Sequence, residues 1–144
     1  MGKKRTVKKQ GGGFQQELRS RSLSKIVKRK LSEGVLYVEA SFNNTSLSLT
    51  DTKGNLLSRS SSGALGFKGA KKGTPFAAAK VGELVGEKSL LIGIKEVSVV
   101  MSGVGSGRES AIRSFASKGI DINKIVDATP VPFNGPRARK ARRT

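Results

Sequence analysis

From Gly34 onward the apolar positions recur first with period two and then with a helical period. Val35-Leu-Tyr-Val-Glu-Ala-Ser-Phe42 is apolar on both faces for most of its length, which predicts a central strand. Leu47 and Leu49 alternate with Ser46, Ser48 and Thr50, as in a half-buried neighbour. Asn43-Asn44 supplies the turn between them. Asp51-Thr-Lys-Gly54 supplies the next and leads to a third strand over residues 55–60, so this half predicts an antiparallel meander.

The period then changes. Thr74-Pro75 predicts a helix start, with Thr as N-cap and Pro at the first helical position, and Ala77, Val81, Leu84 and Val85 form one apolar stripe that Gly93 ends. Lys95-Glu-Val-Ser-Val-Val-Met101 reads as a buried strand. Ser106-Gly-Arg-Glu109 has the spacing of a capping box for a second helix, with Ala111, Ile112, Phe115 and Ala116 inward and Gly119 at its C-terminal cap. Ile120-Asp-Ile-Asn-Lys-Ile-Val126 is the last strand. The expected class is α/β, a mixed five-stranded sheet whose right-handed crossovers cover it with helices. Tyr37, Phe42 and Phe115 are expected in the core.

Charge divides the chain differently. Residues 1–32 carry eleven Lys and Arg against Glu17 alone, and residues 128–144 carry five against none. These ends hold +10 and +5 of the formal +18, leaving +3 for the 95 residues between them. A solvated surface accounts for one such run. Two basic tails around a near-neutral core suggest a globular anchor with arms that order against a polyanion. The division expected is a basic N-terminal extension (1–33), a globular α/β core (34–127) and a basic C-terminal tail (128–144), with both tails disordered when alone. From Glu17 to Leu31 the apolar residues are too few to establish a helix, though a short basic one has room there.

Composition narrows the function classes. With no Cys there is no disulfide framework or thiolate metal site, and with no His the commonest general base and metal ligand is missing. No apolar run approaches the roughly 18 residues of a membrane span, and neither tail has the apolar stripe of an interfacial helix. Nucleic acid is therefore a better partner than a membrane. Gly2 with Thr6 fits the loose myristoylation pattern, and the Arg- and Ser-rich stretch to Ser32 resembles an organelle transit peptide, but any basic arm satisfies both.

Two glycine-rich connections carry the candidate chemistry. Ser60-Ser-Ser-Gly-Ala-Leu-Gly-Phe-Lys-Gly-Ala-Lys-Lys-Gly-Thr-Pro75 and Gly103-Val-Gly-Ser-Gly-Arg108 both end at a predicted helix N-terminus, where amides freed of Cβ bulk approach phosphate closely. Neither has the spacing of a nucleotide-hydrolase loop or a dinucleotide fingerprint. For the second, a loop that merely needs positive φ explains the glycines equally well. The first adds Lys68, Lys71 and Lys72 with no intervening acid. Glu39, Asp51, Asp121 and Asp127 are the strand-associated carboxylates that a two-metal nuclease would use. Turn formation explains Asp51, strand ends explain Asp121 and Asp127, and a basic neighbour is expected beside Glu39.

Four motifs, in order, resemble one family. Ala40-Ser-Phe-Asn-Asn-Thr45, Gly66-Phe-Lys-Gly-Ala-Lys-Lys-Gly-Thr-Pro-Phe-Ala-Ala78, Gly103-Val-Gly-Ser-Gly-Arg-Glu-Ser110 and Asp127-Ala-Thr-Pro-Val-Pro-Phe-Asn-Gly-Pro-Arg137 are similar to the small-subunit ribosomal protein S-eleven family, in its bacterial or organellar branch. The resemblance covers residues 34 to about 140. It implies a three-layer α/β/α sandwich with ribonuclease-H-like topology and no catalysis or cofactor. It further implies a structural protein of the small-subunit platform that bridges ribosomal RNA helices and supports assembly and translation. Platform proteins seven and eighteen, initiation factor three and the messenger's exit path are the implied neighbours, in a cytoplasmic or organellar ribosome. Carried over by motif, RNA contacts fall on Asn43, Asn44, Lys68, Lys71, Lys72, Arg108, Asn134, Arg137, Arg139, Lys140, Arg142 and Arg143.

Three departures stand out. Val104 and Ser106 replace the prolines of the family's Gly-Pro-Gly-Pro-Gly loop, Phe133 and Pro136 replace the His and Cys common in the bacterial form, and the Arg and Lys beyond Pro136 are spaced differently. Phe67 and Phe133 are the stacking candidates, with burial the competing fate for Phe67. Asn134-Gly135 is also prone to succinimide closure, because Gly leaves its backbone nitrogen free to attack the Asn side chain. A free-standing nucleoid or single-strand binder, which would use the same tails without these loops, and a metal-dependent nuclease are the alternatives.

Overall fold

A computed structural model of the chain describes residues 30–143, together with Glu17, Ser20 and Arg21. Strands β1 (Glu33–Ala40), β2 (Thr45–Thr50) and β3 (Leu56–Ser61) form the meander, and β4 (Glu96–Ser102) and β5 (Asp121–Asp127) complete one five-stranded sheet. Its strand order is β3-β2-β1-β4-β5, antiparallel within the meander and parallel from β1 through β4 to β5. Helix α1 (Pro75–Ile92) joins β3 to β4, and α2 (Arg108–Ala116) joins β4 to β5.

Register decides which side chains share a face. Leu36 lies opposite Leu49 and Val99, and Val38 opposite Leu47 and Met101. That face is buried, and Val81, Val85, Ala111 and Phe115 of the helices close over it. Of the three layers expected from the family, the sheet and its two crossover helices supply two. The physical reason is topological: β3 to β4 and β4 to β5 both step the same way across the sheet, so two right-handed crossovers place their helices on one face. The helices meet closely, since a Cβ on Gly82 of α1 would lie 2.4 Å from the Ala111 carbonyl oxygen of α2. The opposite face carries Val35, Tyr37 and Glu39. Tyr37 is therefore 40% exposed rather than in the core. Glu39 accepts a 3.0 Å hydrogen bond from Ser46 Oγ across the strands, in place of the basic neighbour expected.

The start of α1 follows the sequence closely. Thr74 Oγ1 accepts from the Ala77 amide at 3.3 Å, Pro75 takes the first position, and Gly93 at φ 97° closes the far end, with the amides of Gly93 and Ile94 both on the Ser89 carbonyl. The capping box predicted for α2 does not form. The helix starts at Arg108, so Gly107 rather than Ser106 occupies the cap position, without a side-chain bond, and Ser106 instead donates to the Gly73 carbonyl at 3.0 Å. Gly119, at φ 84°, closes the turn after α2.

Of the basic helix allowed between Glu17 and Leu31, Glu17, Ser20 and Arg21 are helical, with an exposed Arg21–Glu17 ion pair of 2.6 Å. The glycine-rich arm and the two processing patterns lie outside the described residues. Leu31 packs against the core, and the Ser32 carbonyl accepts from the Lys95 and Glu96 amides.

Candidate nucleic-acid interface

The parallel arrangement of β1, β3, β4 and β5 sends four connections out of the same end of the sheet. They are the turn after β1, the lysine loop after β3, the glycine loop after β4 and the C-terminal tail after β5, whose first amide, Ala128, donates to the Met101 carbonyl at 2.8 Å. Three of the four motifs that define the candidate site are thereby stacked on one another, and the fourth begins beside them.

Close backbone approach holds them there. The Gly105 amide donates to the Ala40 carbonyl at 2.8 Å, and a Cβ on Gly105 would stand 2.3 Å from the Ser41 carbonyl oxygen. A Cβ on Gly73 would stand 2.2 Å from the carbonyl oxygen of Phe42. No real side chain fits at either place, so the glycines of both loops serve packing as well as any phosphate. Ser106, bonded to Gly73, ties the second loop to the first.

Asn44 turns out to be a clamp. Its side-chain oxygen accepts from Ser62 Oγ at 2.6 Å and from the Gly63 amide at 3.4 Å, while its backbone pairs with Ser41. Asn43, next to it, is exposed and points no described bond inward. Lys68 and Lys71 are exposed and Lys72 is half-buried, its aliphatic stem lying against Gly63, on a loop that ends in a short 3-10 turn over Gly69–Gly73. Lys71 and Lys72 make no ion pair among the described residues, and from Thr52 to Gly82 the sequence has no carboxylate at all.

Arg108 opens α2 and pairs with Asp127 at the end of β5, so its guanidinium is shared between the fold and any ligand. Asp127 also accepts from the Thr129 hydroxyl at 2.6 Å and the Thr129 amide at 3.0 Å. The Thr129 hydroxyl first, and Arg108 second, hold its carboxyl down to about 2. Beyond Thr129 the tail runs without regular structure, and Asn134, Arg137, Arg139, Lys140, Arg142 and Arg143 are all exposed.

Of the carboxylates that a nuclease would use, Glu39, Asp51 and Asp127 are each bound within the fold. Asp51 caps its turn through the Asn55 side chain and the Asn55 and Lys53 amides, which lowers its pKa, the Asn55 side-chain bond being the largest cause. Among the described residues no group of acids is arranged to hold a metal ion. No described helix is long and apolar enough to cross a membrane. Sequence reasoning missed Phe42, assigned to the core but 78% exposed, and Phe76, 64% exposed at the start of α1. Phe42 continues the alternation of Leu36, Val38 and Ala40, but the strand ends at Ala40 and the turn closed between Ser41 and Asn44 carries the ring outside, which no local pattern announced.

Comparison with known proteins agrees with this arrangement. Residues 34–143 match the family described as Ribosomal protein S11. A Leptothrix cholodnii protein named small ribosomal subunit protein uS11 is 50% identical over 124 residues, covering 86% of this chain and 92% of that protein. A Variovorax paradoxus protein of the same name is also 50% identical, over 83% of this chain and 89% of its own length. With the matched segment running from the first sheet strand through the basic tail, the chain belongs to the ribosomal protein S11 family, a family of structural proteins and not of enzymes.

Proposed function

We propose that this protein is a structural constituent of the small ribosomal subunit of the cytoplasm, where it binds and bridges ribosomal RNA helices on the platform near the messenger's exit path. The observation that carries this reading is the gathering of the Asn43 turn, the lysine loop, the Arg108 loop and the C-terminal tail at one end of the sheet, while the chain enters β1 from the other end. Contacts to phosphate position a protein without reading sequence, so an RNA bridge needs separated basic sites rather than one recognition helix. The strand order supports the ribonuclease-H-like topology of that role.

In this reading residues 34–127 are the anchor, and residues 1–33 and 128–144 are arms that order on RNA. Asn43, Lys68, Lys71, Lys72, Arg137, Arg139, Lys140, Arg142 and Arg143 meet phosphate directly; Arg108 and Asn44 do so while holding their loops; and Asn134 lies at the tail's bend. Platform proteins seven and eighteen and initiation factor three are the proposed neighbours.

Two measurements test the proposal. The full chain co-sediments with small ribosomal subunits, and a variant with Lys68, Lys71 and Lys72 replaced by Ala does so poorly while melting normally. Removing one phosphate-bound cation flattens the log–log salt dependence of RNA binding by about 0.9 on duplex or roughly 0.7 on single strands. An unchanged slope, or equal binding to DNA without ribosome association, refutes it in favour of a free-standing nucleic-acid binder.

A further inference from the structure

We propose that Phe42, with Phe76 beside the same loop, forms an aromatic platform on which unpaired RNA bases stack at the rim of the lysine loop; this rests on the RNA-binding reading above and names what part of the RNA the site takes. Phe42 is 78% exposed, yet it sits in a turn whose backbone is pinned. The Ser41 and Asn44 bonds close that turn, Asn44 is clamped to Ser62, and the Phe42 carbonyl abuts Gly73. An exposed Phe in a mobile loop is ordinary; one presented by a turn with this many restraints has already given up the backbone freedom that binding would otherwise remove. Among the described residues its ring has no aromatic or cationic partner.

Phe76 stands three residues beyond Gly73 and is 64% exposed. The half-buried Phe67 meets it edge to face, with centroids 6.1 Å apart and planes at 85°, and the Lys80 ammonium lies 5.7 Å from its ring centre. Both neighbours fix the ring's orientation without burying it. The surroundings select the occupant. An apolar protein segment would gain nothing from Lys80 over the Phe76 ring, from the exposed lysines of the loop whose Gly73 abuts Phe42, or from the run of thirty-one acid-free positions, 52–82, whereas a nucleotide presents a π-face to the ring and a phosphate to the cations. Bases in a duplex are stacked on each other and cannot reach the platform, so its ligand is a looped-out or single-stranded base.

The test uses the full chain and two probes, a short oligouridylate and an RNA duplex of the same length, titrated over a range of salt. For Phe42→Leu we expect a loss of roughly five- to 150-fold in affinity for the single strand, the equivalent of one stacked base, with an unchanged salt slope and an unchanged melting temperature. Phe42→Tyr retains affinity, and the duplex is bound as before. Phe76→Leu repeats the effect in smaller measure. If Phe42→Leu binds the single strand like the parent, or loses both probes equally, the platform does not exist. The lysine triple variant separates that failure from failure of the RNA-binding reading, since it weakens both probes and flattens the slope whether or not the rings stack. Normal RNA binding by Phe42→Leu with impaired entry into subunits would assign the ring to a protein pocket and overturn the proposal.

Discussion

Gly73→Ala is the sharpest test of the claim that the turn after β1 and the lysine loop form one rigid unit. The substitution adds a single carbon and removes no charge. That carbon would lie 2.2 Å from the Phe42 carbonyl oxygen, 3.1 Å from its carbon and 3.4 Å from the Asn43 Cα. All three are backbone atoms, so relief requires the turn and the loop to separate by about 1 Å, not a side chain to swing aside. Overpacking of this kind costs about 1–3 kcal/mol, and the neighbouring Ser106–Gly73 hydrogen bond contributes about 1 kcal/mol more if it breaks. The lower chain entropy of Ala in the unfolded state offsets about 0.4–1 kcal/mol. A net loss of about 1–3 kcal/mol is expected, read as a lowered midpoint in urea unfolding. Gly63→Ala in the same loop is the control: its nearest neighbour is the Lys72 Cδ at 3.6 Å, an ordinary contact, so stability is unchanged or slightly raised. RNA affinity should fall in the Gly73 variant although every lysine remains, because the cations and the turn lose their common register. A Gly73→Ala protein as stable as the parent, or a Gly63→Ala protein equally destabilised, refutes the reasoning.

Lys88, buried on α1 at 7% exposure and with its pKa lowered by that burial, should be replaceable by Met with a gain of about 1 kcal/mol near neutral pH. Because the unfolded state keeps the ordinary pKa and binds the extra proton, parent stability rises toward pH 10.5, and the Met variant's advantage in chemical unfolding must shrink over that range; a constant advantage argues against burial as the cause. Asp127 has its pKa depressed to about 2, so its contribution is present above the ordinary carboxylate range and is lost as pH falls through that range toward 2; Asp127→Asn should flatten the acid limb of a melting-temperature profile, and a parallel limb would refute the assignment. Asn134, exposed and irregular between Pro132 and Pro136, should convert partly to isoaspartate in aged protein, detected as a methyl acceptor in the peptide spanning residues 133–137; a peptide that accepts no methyl group ends that expectation.

The strands, both helices, the Thr74 cap and the Gly93 stop were legible in the chain because each depends on neighbours within a few positions: hydrophobic period, a capping hydroxyl, a residue able to take positive φ. The loop motifs and the two basic ends were legible for the same reason, and with them the family. What local pattern could not reach depended on neighbours distant in sequence. Ser106 and Glu109 have capping-box spacing, yet the Gly73 carbonyl, thirty-three residues away, takes the hydroxyl. Asn44 reads as an exposed turn residue until Ser62, eighteen residues on, bonds its side chain. Phe42 and Tyr37 carry the composition of a core but fall past the strand end and on the face away from the two crossover helices, which share one side because both crossovers run in one direction across the sheet. Sequence alone thus determined the elements and the cationic chemistry. The tertiary structure alone decided that four separate connections leave one end of the sheet, since only a common direction of β1, β3, β4 and β5 can bring positions so far apart in the chain to one surface.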